Sequence, residues 1–299
     1  MKRKFLAAML AGVLAMIAFA TPAFAAVASG EKRVTLGADL TAAEKTQIYD
    51  YFGIQAGSVK EITVTNAEER QYLSGLVPDE KIGNVALSSI FLTTLGSGQG
   101  LNITTNNINF CTDQMYINAL KTAGITDASV MITAPHPVSG TAALTGIYKA
   151  YEDITGVTLN ENAKQAGTQE LVISGNIAQS IGDADTQKII GQLQGILAQT
   201  KTMSDAELRT QILDIAKSNN VTLTDDQVNQ LISLCRTLSS VDLTKVGGQI
   251  SQISSAMNTA SQIGQGFSDF FKGVTGFLGN VGSFFTNLFG GASSSASAS

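Results

Sequence analysis

The 299-residue sequence predicts an α+β protein: an N-terminal α/β domain on a mixed sheet, then an all-α region ending in an amphipathic helix. Three observations predict it. Short β-branched or alternating runs, punctuated by glycine and proline, fill the chain up to residue 156. Apolar stripes at helical spacing fill most of the chain beyond it. Between them, the stretch DASVMITAPHPVSGTAALTGIYKAY at residues 127–151 joins a buried strand to a helix, as the middle of an α/β core requires. In that stretch Val130, Met131 and Ile132 form the strand, which is expected to stop at Ala134-Pro135-His136-Pro137 because proline fixes φ and lacks a donor. Leu144, Ile147, Tyr148, Tyr151 and Ile154 then share one helical face, and Ser139 or a near neighbour is expected to cap that helix, running from about Gly140 to Thr155.

In chain order, residues 1–25 read as a secretory signal peptide. Lys2, Arg3 and Lys4 form its charged start, an apolar run comes next, and Ala23-Phe24-Ala25 supplies small residues at the cleavage positions. A mature chain would begin at Ala26 and be exported to the cell envelope or beyond. Loss of the three basic residues changes the balance from 19 basic and 24 acidic side chains to 16 and 24, a net charge of −8. Sequence-independent nucleic-acid binding needs a basic footprint and is therefore excluded as an expectation.

The α/β domain occupies residues 26–156. A strand at 32–36 precedes Thr41-Ala-Ala-Glu44, a capping box opening a helix that carries Ile48, Tyr49 and Phe52 to a stop at Gly53. Residues 59–65 alternate as a half-buried strand does; Asn66 is expected to cap a short helix through Glu68, Glu69 and Tyr72, with Pro78 closing it. Strands at 85–95 and 101–105 flank Gly96-Ser-Gly-Gln-Gly100 and are expected to pair antiparallel as a hairpin. A helix after Cys111 or Thr112 turns Tyr116, Ile117, Leu120 and Ala123 inward and ends at Gly124, so that strand, helix and the strand at 128–134 form one crossover. Five strands result.

After Gly156 aromatic residues vanish until Phe267, which marks a boundary and gives a helical region at 157–265. One helix carries Leu171, Ile173, Ile177 and Ile181; the next carries Ile189, Ile190, Leu193, Ile196 and Leu197. Ser204 with Glu207, and Thr224 with Gln227, open two more. Val246, Ile250, Ile253, Met257 and Ala260 then make a heptad-like seam too short for a coiled coil. Residues 266–289 hold seven of the thirteen phenylalanines. Phe267, Phe270, Phe271, Phe277, Phe284 and Phe285 fall on one helical face, while glycine recurs at 273, 276, 279 and 282. Each glycine weakens an isolated helix by about 1 kcal/mol, so this helix needs a surface: the protein's own helices, a membrane, or a protein partner. Residues 290–299, GGASSSASAS, form a flexible tail.

Candidate chemistry centres on the turn. His136, Ser139, Gly140 and Thr141 lie where a helix begins after a strand, and free backbone N–H groups with the two hydroxyls suit a small anionic ligand. Ser139 as a plain cap and His136 as a solvated tip explain the same residues. No nucleophile elbow, phosphate loop or metal-ligand spacing is present, so no catalytic residue, metal or cofactor is assigned. Cys111 and Cys235 would be allowed a disulfide by export, and two separately buried thiols fit equally well. The leading expectation is a non-enzymatic protein binding at the envelope; the alternative is an enzyme or anion binder at the turn.

The exported precursor, the phrase TDASVMITAPHPVSGTAALTGIYKAYE and the helical C-terminal half together resemble the bacterial family of predicted secreted proteins called domain of unknown function 1002. The resemblance covers nearly all of the mature chain, with APHPVSGTAALTG its most specific part. It implies the architecture and no reaction, ligand or catalytic residue.

Overall fold

A computed structural model describes residues 29–241. The predicted signal peptide, the seam at 246–260, the phenylalanine- and glycine-rich segment at 266–289 and the tail at 290–299 lie outside the described residues.

The chain opens with β1 (Lys32–Gly37), α1 (Ala42–Phe52) and β2 (Glu61–Val64). Thr41 and Glu44 close the expected capping box on α1, and Gly53 ends it in the left-handed region at φ 65°. Helix α2 (Asn66–Leu73) is capped one residue earlier than expected, by Thr65, whose hydroxyl accepts from the Glu68 amide while the Glu68 carboxylate reaches back. Pro78 does not close α2, which already ends at Leu73; it precedes the single turn of α3 (Asp79–Ile82), where a missing N–H is harmless.

Strands β3 (Ser89–Thr94) and β4 (Leu101–Ile108) are not paired, contrary to the hairpin expectation. β5 (Ala128–Val138) lies between them, antiparallel to β3 and parallel to β4, in a sheet of order β2-β1-β3-β5-β4. Helix α4 (Asp113–Thr122), capped by Thr112, makes the crossover from β4 to β5. The six loop residues 95–100 are enough to step over one intervening strand, because neighbouring strands are only about 5 Å apart.

β5 also runs through both prolines instead of ending before them. Its ladder with β3 stops at Ser89↔Thr133, and the carbonyls of Ala134 and Val138 are bonded on the β4 side. Pro135 and Pro137 occupy the alternate positions, facing the side where β3 has ended, so their missing donors leave no ladder bond unmade. The extra residues lie in β5: the single residue Asn107 of β4, at φ 56°, stands opposite residues 134–137, and its side-chain amide donates to the Ala134 carbonyl at 2.9 Å.

Helix α5 (Thr141–Thr155) comes after Gly140, and α6 (Glu161–Ile181), α7 (Asp183–Gly195), α8 (Leu197–Thr200), α9 (Asp205–Ser218) and α10 (Asp225–Ser240) complete the described chain. Ser204 and Thr224 close their capping boxes as expected. One face of the sheet packs Ile90, Leu92, Val130 and Ile132 against Tyr116 and Leu120 of α4 and Leu144, Ile147 and Tyr148 of α5. The other packs Val34 and Leu36 under Ile48, Tyr49 and Phe52 of α1. Helix α6 is shared. Its Leu171 belongs to the sheet core, while Ile173 and Ile177 belong to the cluster formed with α7, α9 and α10. Gly167 permits this, since a Cβ there would lie 2.4 Å from the Ala119 carbonyl oxygen of α4. No helix among the described residues is long and apolar enough to cross a membrane.

Candidate functional site

The start of α5 is assembled from four parts of the chain. Gly140 stands at the N-cap position with φ 91°, and no side chain caps the helix; Ser139 does not take the capping role expected of it. The turn places Gly140 against α4. Its carbonyl accepts from Tyr116 Oη at 2.6 Å, and a Cβ would lie 2.5 Å from that oxygen and 2.6 Å from Ile108 Cγ2. Only glycine fits this backbone and this space. The amide of Cys111 donates to the Ser139 carbonyl at 3.1 Å, tying the same turn to the entry of α4.

From α2, Glu69 enters beside the first residue of α5. It is 3% exposed, and Thr141 Oγ1 donates to its Oε1 at 2.6 Å while Asn66 Nδ2 donates to its Oε2 at 3.3 Å. Burial raises the Glu69 pKa, and the donors from Thr141 and Asn66 oppose that shift. Ser139 Oγ sits 3.1 Å from Thr141 Oγ1. With Thr141's single proton directed at Glu69, Ser139 is the donor in that pair. The protein's own carboxylate thus lies against the hydroxyl that the sequence assigned to an anionic ligand.

Of the predicted site residues, Ser139, Gly140 and Thr141 come together and His136 does not join them. His136 is exposed on the β5 tip, on the side of α1, where Gln47 Nε2 donates to the Pro135 carbonyl at 3.1 Å and the imidazole lies near Glu44, whose ionised form is favoured by the hydrogen bonds from the Thr41 amide and hydroxyl. Among the described residues no hydrogen bond joins His136 to Ser139 or Thr141. Cys111 and Cys235 are free thiols, buried in separate clusters, and burial pushes each up to about 12. Among the described residues no three His, Cys, Asp or Glu side chains gather as metal ligands.

Sequence reasoning missed Glu69. Its signal was faint: Glu69 and Leu73, four apart on α2, both turn inward, while Glu68 is consumed by the capping box. A second buried carboxyl was missed as well. Glu170 of α6 is fully buried, accepting from Thr122 Oγ1 of α4 at 2.6 Å and from Gln194 Nε2 of α7 at 2.5 Å, and burial pushes its pKa up to about 7. Lys164, 4% exposed, bridges Glu152 at 3.1 Å and Glu161 at 2.7 Å with its ammonium over the Tyr72 ring; these carboxylates outweigh burial and hold it protonated. An open groove between α9 and α10 contains Arg209 and Arg236, and both guanidinium groups are already engaged. Arg209 meets Asp225 and Asn229; Arg236 meets Asp205 and the carbonyls of Thr200 and Met203.

A family model described as protein of unknown function (DUF1002) matches residues 36–260. An uncharacterized protein of Bacillus subtilis (strain 168), YpuA, is 39% identical over 250 residues, covering 83% of this chain and 85% of the relative. No solved structure matches. The matched region takes in both the sheet and the helical region, and it stops short of the phenylalanine- and glycine-rich segment at 266–289.

Proposed function

Because the chain belongs to the DUF1002 family, whose description carries no reaction, we propose from its own residues that it is an exported protein acting by contact at the cell envelope or outside the cell, without catalysis. The observation that carries this reading is the Glu69 carboxylate at Thr141 Oγ1. A turn that offered an enzyme or an anion its hydroxyl and helix terminus has a buried carboxylate from α2 in contact with that hydroxyl. The working surface then lies elsewhere. Residues 266–289, with their row of phenylalanines, are the proposed contact with a membrane surface or an envelope protein.

A second reading rests on the exposed tip. His136 stands in solvent beside Glu44 and Gln47 of α1, and a small ligand or substrate would have to use these side chains from outside the fold. A panel of small anions and hydrolase substrates, tested on the mature chain and on His136→Ala and Ser139→Ala, separates the two readings. The proposal expects no binding or turnover that depends on either residue. Turnover or binding that is lost in both variants while the fold persists overturns it.

A further inference from the structure

We propose that β4 is the surface through which two copies of this chain pair, edge to edge and antiparallel, into one continuous sheet. β4 is an edge strand with β5 on one side. The Ala128 amide donates to the Gly100 carbonyl, so even-numbered positions of β4 turn their backbone groups toward β5. Leu101, Ile103 and Thr105 therefore turn theirs outward. Among the described residues nothing bonds to these three amides or carbonyls. The row is bounded by Gly100 at one end and at the other by Asn107, whose left-handed φ of 56° marks the break in register.

The two edges of the sheet differ. β2 is four residues long, contains Glu61 and comes directly after Lys60, and short charged edges resist strand addition. β4 is eight residues long, LNITTNNI, with no charge and no proline. That asymmetry selects β4 as the pairing edge, and the residue pattern of the strand itself selects a second copy as its occupant. Turned antiparallel about Ile103, the strand meets its own pattern: Leu101 faces Thr105 of the second copy, Ile103 faces Ile103, and Asn102 faces Thr104. All three outward residues form hydrogen-bonded pairs in this register, and the two-fold arrangement is closed. The mature chain carries 24 acidic against 16 basic residues, and β4, which contains no charged residue, sets no like charges opposite each other within the paired strands.

Asn102 and Thr104 are exposed on the same face and, among the described residues, their side chains make no hydrogen bond, so substitutions there test the register without disturbing the core. The experiment is sedimentation equilibrium on the mature chain, with hydrogen exchange read at the amides of Leu101, Ile103 and Thr105. The wild type should be a dimer in which those three amides are protected. Asn102→Lys with Thr104→Lys places lysine opposite lysine twice and should weaken the dimer roughly tenfold or more, releasing the amides to fast exchange. Asn102→Lys with Thr104→Glu places opposite charges across the same contacts and should remain a dimer with protected amides. A monomeric wild type overturns the proposal. So does a dimer whose three amides exchange freely, or one that responds alike to both double substitutions.

Discussion

Thr141 Oγ1 donates to Glu69 Oε1 at 2.6 Å across 72 positions of sequence, and this one bond joins the first residue of α5 to the buried face of α2. It acts on both levels of the structure. It satisfies a carboxylate that burial would otherwise penalise, and it brings negative charge to the positive end of a helix that has no side-chain cap.

Glu69→Ala should therefore destabilise the protein by about 1–3 kcal/mol, because Thr141 and Asn66 lose their buried acceptor. The same substitution exposes the helix terminus to solutes. Phosphate should raise the unfolding midpoint of Glu69→Ala more than that of the wild type, measured by urea denaturation with and without the ion. Equal responses would show that Glu69 occupies no anion position.

Ser139→Ala should shift stability by less than about 0.5 kcal/mol, since the exposed Ser139 hydroxyl caps nothing. Gly140→Ala should cost about 2 kcal/mol or more, because alanine is strained at φ 91° and its Cβ would collide with Tyr116 Oη and Ile108 Cγ2. Thermal unfolding of the two variants side by side checks the pair. A reversed order would place the helix start one residue earlier, with Ser139 as its cap.

Glu170 should make stability fall as pH rises. Its pKa in the folded protein is pushed up to about 7, above the ordinary carboxyl value of the unfolded chain, so the folded state holds the proton longer. This contribution is complete below the unfolded pKa, declines as pH rises toward about 7 and is level above it. The loss is about 3 kcal/mol. Glu170→Gln, with Gln194 free to turn its amide, should remove the decline, and the difference between the two urea midpoint curves from pH 4 to 8 isolates the effect. Tyr148 of α5 lies close enough for its ionisation to be opposed by Glu170, and burial keeps that tyrosine neutral throughout this range.

What the sequence disclosed and what it concealed divide by range. Capping boxes at Thr41, Ser204 and Thr224 are readable because donor and acceptor lie three residues apart. The crossover through α4 is readable for the same reason of sequence proximity. Strand order is not: nothing in Gly96-Ser-Gly-Gln-Gly100 reveals that β5, still to come in the chain, will lie between the two strands it joins. The prolines misled because a missing donor is disruptive only on a side that has a partner, and that depends on where β3 ends. Ser139, Gly140 and Thr141 are neighbours in sequence and could be named together, but Glu69, whose carboxylate meets Thr141, arrives from another helix.

The central claim is that this protein works through a contact surface apart from the α5 turn, and co-sedimentation with purified envelope fractions tests it most directly. The mature chain should sediment with the fractions, the double substitution His136→Ala with Ser139→Ala should sediment equally, and a chain ending at residue 260, where the family match stops, should remain in solution. Retention of binding by the shortened chain together with its loss in the double substitution would contradict the account and return the function to the turn.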